Sequence, residues 1–160
     1  MDGFPFPTIS LIIGAPNYKT IAKVHSKLNS NAASLQSNLG CGKLGLLHLT
    51  ISSAVYALSS TAFITPVNPG AKPTISSITS GPQITNLQYT HDITTAVFNK
   101  YNRTDKALCQ MLIAAVDEVF IRSLRHHYAG YGTTTTHSIL DHIYATYAKI
   151  SSANLQDNDA

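Results

Sequence analysis

Charged residues are scarce in this sequence of 160 residues. Asp, Glu, Lys and Arg make up 12% of the chain, about half of the usual share of about 25%. Hydrophobic residues make up 44%, which excludes an intrinsically disordered chain, because such chains combine high charge with low hydrophobicity. A chain of this length forms the core of one domain, or of two small lobes at most.

Cysteine is also rare, with Cys41 and Cys109 alone. Two cysteines exclude a disulfide-rich scaffold, and a tetrahedral zinc site would need at least two ligands of another type. The histidines form no His-Glu-x-x-His pattern, and Gly40–Lys43 lacks both the earlier glycine and the following Ser or Thr of a phosphate-binding loop. We therefore predict no catalytic residue, no metal ligand and no cofactor, and we do not expect an enzyme.

The remaining candidates for chemistry are interpreted as structural. His137 and Asp141 are four residues apart on a predicted helix and can touch as a surface pair. His126 and His127 would point about 100° apart on a helix and could not share a metal ion, so a position at a helix end is favoured. Cys109 lies within a helical pattern and is predicted to be a small buried hydrophobe.

Long apolar runs and basic clusters are missing. The longest apolar stretch, Leu44–Leu58, is 15 residues long and contains polar residues, whereas a membrane span needs about 20. Residues 1–7 carry an acid and two prolines where a signal peptide has its basic start. We therefore expect a cytoplasmic protein without membrane contact. The net charge of +3 is scattered and permits nucleic-acid binding without indicating it.

Hydrophobic spacing predicts an all-α protein, a bundle of five to six amphipathic helices. Asn17 is predicted to cap the first helix, Gly45 to break the chain before the second, and a Thr run at 133–136 to cap the last. Asp117 is predicted to begin a further helix that ends near Gly130. Strands are not supported, although 74–85 alternates weakly. The helical patterns cover 21–35, 47–58, 89–101, 108–119 and 139–150.

A segment rich in proline and glycine, 65–83, separates the helical patterns. A loop of this length is uncommon inside a compact domain. It is either a surface connection or a partner-facing or inter-lobe loop. Residues 1–152 are accordingly predicted to form one helical domain, or lobes 9–64 and 86–152 joined by 65–85, and 153–160 a disordered tail.

Three sequence motifs, each defined by the spacing of a few apolar and polar residues, follow one another along the chain. The first has Gly14, Asn17, Tyr18 and Leu28, with Ile21 at a position of tryptophan. The second has Tyr101 in place of tryptophan, then Asp105, Leu108 and Leu112. The third has Thr136, Leu140, Ile143 and Tyr147 at helical spacing. With residues 44–70, these motifs give a chain that resembles the capsid region of the Gag polyprotein of copia-type LTR retrotransposons, in a variant that lacks tryptophan.

This resemblance implies a Gag capsid-like helical domain over 1–152 that assembles with copies of itself into a virus-like particle around the RNA of the element. Such Gag proteins often carry a zinc knuckle after the capsid region, and this sequence has none. The resemblance therefore implies that RNA is bound mainly by a region not present in this chain, and no small-molecule substrate is implied.

Two other functions remain open from the sequence. One is a helical adaptor that does not assemble, including a domesticated Gag-derived protein-interaction module. The other is nucleic-acid binding by the domain itself. For this role the sequence offers Lys19, Lys23 and Lys27, which recur every four residues on the first predicted helix and form a basic edge. This edge is either a solvated helix face or a surface that contacts RNA.

Overall fold

The computed structural model describes residues 3–59, 61–76 and 80–149. Over these residues 57% of the chain is helical and no strand is present, which confirms the all-α prediction. Single 3₁₀ turns connect the helices at 42–44, 47–49, 118–120 and 122–124. The four α-helices are α1 (Tyr18–Ala33), α2 (Ser53–Ser59), α3 (Gly81–Ala115) and α4 (Thr136–Tyr147).

The described residues contain fewer helices than predicted. The pattern 89–101 and the pattern 108–119 as far as Ala115 belong to one helix, α3, because the residues between them include neither glycine nor proline. Asp117 accepts from the backbone N–H of Val119 but begins only a 3₁₀ turn. The pattern 47–58 is divided between a 3₁₀ turn and the short helix α2.

Helix starts follow local side-chain chemistry. Asn17 Oδ1 accepts from the backbone N–H of Thr20 at 3.0 Å, and Thr135 caps α4 in the same way through Ser138, so both predicted caps are confirmed. Ser80 caps α3, and the predicted loop therefore ends earlier than residue 83. Gly81 and Pro82 lie in the first turn, where proline is tolerated because its missing N–H has no helical partner. The weak alternation over 74–85 forms no strand in the described residues.

One hydrophobic core joins α1, α3 and α4. Side chains from the described residues of 9–64 and 86–152, the two stretches considered as lobes, meet in this core. The N-terminal segment also enters it, because Ile12 donates its backbone N–H to the carbonyl of Ala115 at 2.7 Å. The central buried side chains are Ile21, Val24, Leu28, Leu108, Leu112, Ile139 and Ile143.

Asn31 fastens the N-terminal segment to α1. Its fully buried side chain accepts from the backbone N–H of Phe6 and donates to the carbonyl of Phe6, both at 2.8 Å. Both polar ends of the amide are thereby satisfied, as burial requires. The segment therefore runs along α1 and covers part of its surface. The predicted tail, 153–160, lies outside the described residues.

Candidate functional site

A groove about 230 Å³ in volume lies between α1, α2 and α4. His25 on α1 lies at its floor and holds the two sides together. Its Nε2 donates to the carbonyl oxygen of Thr50 at 2.6 Å, because a carbonyl can only accept. Its Nδ1 therefore accepts from the hydroxyl of Tyr144 at 2.9 Å in the neutral ring. The other lining residues are Ile51, Ser52, Val55, His137, Leu140 and Asp141.

Burial lowers the pKa of His25 below its usual value of 6.5. Desolvation is the largest cause. The hydrogen bond to Thr50 opposes it, and the charges of His137 and Asp141 act in opposite directions. The ring is therefore held neutral near pH 7, and its two hydrogen bonds connect α1, the turn before α2, and α4. This arrangement is suited to holding helices together rather than to proton transfer.

We expect the protein to lose stability as the pH falls below 6.5. The unfolded chain binds a proton at His25 near pH 6.5, whereas the folded chain binds it only at lower pH, so the free energy of unfolding falls across that window. The urea midpoint at pH 7.5 and at pH 5 measures this difference. In a His25→Gln variant the difference should be smaller, and in a His127→Gln variant, which loses an exposed histidine, it should match the original chain. An unchanged pH difference in His25→Gln would contradict the assignment.

His48 and Ser53 form a second histidine contact, with 2.9 Å between Nε2 and Oγ. The ring is stacked on Phe63 at a centroid distance of 4.4 Å, and its buried Nδ1 has no hydrogen-bond partner. With the proton on Nε2, the ring donates to Ser53 and Nδ1 is left without an unpaired N–H. In this tautomer His48 does not activate the serine as a base.

Cys109 lies against a second groove, about 340 Å³ in volume, that is lined by Lys106, Tyr131 and Thr134 among others. Burial raises the pKa of the Cys109 thiol to about 11, so the thiol stays protonated at neutral pH and is a poor nucleophile. The side chain is 4% exposed, which confirms the prediction of a buried small hydrophobe.

The two predicted histidine pairs have different outcomes. His137 and Asp141 do touch, with 2.9 Å between Nδ1 and Oδ2, and both side chains are exposed, as predicted for a surface pair. The helical position of His126 and His127 is wrong. They follow the 3₁₀ turn 122–124 and its cap residue Arg125, and His126 Nδ1 accepts from the backbone N–H groups of Tyr128 and Ala129 at 3.2 and 3.1 Å instead of meeting free carbonyls.

The three lysines of the predicted basic edge all lie on α1. Lys19 and Lys23 are exposed. Lys27 is partly buried, and its ammonium lies 5.9 Å from the ring centroid of Phe6, within the range of a cation–π contact. Two of the three lysines are therefore directed to solvent, and the third contacts the N-terminal segment.

The N-terminal part of α3 is the least covered helical surface. No residue from 81 to 103 is buried, whereas Thr104, Leu108 and Leu112 further along the same helix are. One side of this part meets the long loop, since His91 Nε2 donates to the carbonyl of Gly70 at 3.2 Å. The remaining surface exposes apolar side chains, including Leu87, Tyr89 and Ile93 at 50%, 65% and 47%.

The sequence reasoning missed two of these features. His25 comes four residues after Ile21 and three before Leu28, so its spacing already placed it beside the core-facing stripe of α1. The exposure of α3 had no comparable signal, because the helix was predicted as two separate pieces and its start at Ser80 was assigned to a loop.

Comparison of the chain with models of protein families, with curated proteins and with solved structures finds no match. Among the described residues, no group of three or more His, Cys, Asp or Glu side chains is arranged to hold a metal ion. No helix in the described parts of the chain is long and apolar enough to cross a membrane. The function is therefore inferred from the residues and their geometry.

Proposed function

We propose that this chain is a structural protein of the Gag capsid type, which assembles with copies of itself into particles that package the RNA of a retrotransposon. It is not an enzyme, and it acts in the cytoplasm. RNA is held mainly by a region outside this chain. The observation that carries the proposal is the uncovered surface of α3 over 81–103, where apolar side chains remain in contact with solvent in a single copy of the chain.

Several of the positions that carry the resemblance to Gag stabilise this fold, through burial or hydrogen bonds. Leu28 and Leu108 are fully buried in the core. Asp105 caps the start of α4, since its Oδ1 accepts from the backbone N–H of Thr136 at 3.1 Å and its carbonyl accepts from the Thr136 hydroxyl at 3.0 Å. These positions therefore lie in the core shared by α1, α3 and α4 or at the start of α4. This supports the proposal at the level of the fold.

Assembly from many copies needs weak contacts that repeat, and the composition favours them. With 12% charged residues, copies repel each other less than chains of ordinary charge do. Exposed large apolar side chains outside α3, such as Ile13 and Val67, at 95% and 78%, add to the surface that a partner can cover. Scattered exposed apolar residues are common in monomeric proteins, so the continuous surface of α3 is the stronger argument.

Light scattering and electron microscopy at increasing protein and salt concentration test the proposal. We expect oligomers whose mass rises with protein concentration, and particles at the upper end, because salt screens the remaining repulsion between copies. A chain that stays monomeric at every concentration would contradict self-assembly and would favour the adaptor function.

The adaptor remains the second candidate because of the groove between α1, α2 and α4. Its rim includes Val55, exposed at 50%, and Tyr18, exposed at 56%, stands beside Tyr144 with 6.1 Å between ring centroids. An apolar groove between helices is the kind of surface that receives an amphipathic peptide. A monomeric protein with this groove would act by binding such a segment of another protein.

A further inference from the structure

The uncovered part of α3 has one side along which the residues are exposed. Around a helix each residue turns by 100°, so Tyr89 and Ala96 lie about 160° and 140° from His91, the residue that faces the long loop. Their neighbours on that side are exposed as well. We name this surface the α3 strip, and it consists of Tyr89, Asp92, Ile93, Ala96, Lys100 and Arg103.

Charge is distributed unevenly along the α3 strip. Asp92, 65% exposed, is its acidic residue near the start, and Lys100 and Arg103 are its basic residues near the end. The ammonium of Lys100 donates to the carbonyl of Gln36 at 2.5 Å, which fixes its position at the edge of the strip and leaves its other two protons for another acceptor. The strip is therefore acidic toward one end and basic toward the other.

We propose that the α3 strip is the contact between two copies of this chain, paired antiparallel about Ala96. Asp92 and Lys100 are both four residues from Ala96, so a two-fold axis there brings Asp92 of one copy to the height of Lys100 of the other. Tyr89 and Arg103 are both seven residues from Ala96, and they meet in the same way. This inference rests on the proposed function and identifies the surface through which assembly begins.

The charges of the α3 strip indicate which partner it fits. A uniformly acidic partner would be repelled by Asp92, and a uniformly basic partner by Lys100 and Arg103. A second copy running in the opposite direction satisfies both ends, whereas a parallel copy would place like charges together. The small side chain of Ala96 at the crossing point lets the two helices approach closely, and Arg103 can stack on the ring of Tyr89. The contact is one helix wide and weak, as repeated assembly requires.

Charge reversal in the full chain tests this pairing by sedimentation equilibrium. Asp92→Lys leaves a copy with only positive charges on the strip, and Lys100→Asp leaves an acid opposite Asp92 of the other copy. We expect each variant to associate with itself about tenfold more weakly than the original chain, since attraction becomes repulsion at two symmetry-related pairs. A mixture of the two variants should recover association to within about threefold, because the lysine introduced in one variant then faces the aspartate introduced in the other.

Two further variants keep the result interpretable. Lys19→Asp makes the same charge change on α1 and should leave association unchanged. Ala96→Glu places two acids at the two-fold axis without touching the contact between Lys100 and Gln36, so it serves if Lys100→Asp does not fold, as judged by circular dichroism. It should also weaken association about tenfold or more.

The possible outcomes distinguish failure of the α3 strip from failure of the proposed function. If the original chain assembles and the strip variants assemble equally well, the α3 strip is not the contact and the proposed function stands. If the single variants are weakened and their mixture is not restored, the antiparallel pairing is wrong. If the original chain remains monomeric at all concentrations, the proposed function and this inference fail together.

Discussion

Replacing Gly45 by alanine is expected to cost more than about 3 kcal/mol of unfolding free energy. Gly45 is buried and has φ +52°, a region that residues with a side chain rarely adopt. A Cβ there would strike the carbonyl oxygen of Leu35 and would lie 2.5 Å from that of Ala33. Both obstacles are backbone atoms at the end of α1, so neither can move aside cheaply. Urea denaturation followed by circular dichroism measures the loss.

Gly70→Ala is the matched control. Gly70 has a similar φ of +73°, but a Cβ there would meet nothing within 4 Å. The backbone strain alone should cost about 1 kcal/mol. Equal losses at the two positions would show that the close approach at Gly45 is not what requires glycine there.

Leu108→Ala is expected to destabilise the protein by about 3–4 kcal/mol, because it removes a large part of a side chain from a close-packed core. Leu108 is fully buried on α3, in the core that α3 shares with α1 and α4. The helix itself should tolerate the change, since alanine is the best helix former. The loss would therefore appear as a lower urea midpoint with little change in the slope of the transition.

Leu87→Ala makes the same substitution on the same helix at a position that is 50% exposed. It should cost less than about 1 kcal/mol, because less apolar area is lost and no enclosed cavity is left. A loss at Leu87 as large as that at Leu108 would mean that the N-terminal part of α3 is buried in solution, for example against another copy of the chain. Dilution, which separates the copies, would then reduce the loss at Leu87 and leave the loss at Leu108 unchanged.

The all-α fold could be predicted from the sequence because its signals are local. The apolar stripe of α1 and the caps at Asn17 and Thr135 depend on residues three or four positions apart. The continuity of α3 was missed because the stripe is interrupted by Thr104, a buried polar residue. Its hydroxyl donates to the carbonyl of Lys100 at 2.8 Å within the helix, so burial costs little and the core accepts it.

The candidate sites depend on contacts between distant parts of the chain, which the sequence does not display. His25 meets Thr50 and Tyr144, which are 25 and 119 residues away. The partial burial of Lys27 depends on Phe6, which reaches α1 only because the N-terminal segment folds back. The sequence therefore predicted the basic edge correctly as a row on α1, but not that its third member has an aromatic neighbour.

The division of α3 into a buried and an uncovered part has a consequence for variation among chains of this fold. Substitutions at Leu108 or Leu112 are constrained by packing, whereas those at the exposed residues of the α3 strip, such as Tyr89 and Ala96, are expected to change the stability of a single copy little. If copies pair through this strip, as proposed, two chains could diverge there, keep the same architecture and cease to pair with each other, because recognition depends on differences in affinity. With one end of α3 buried and the other exposed, the choice of partner could then change without a change in folding.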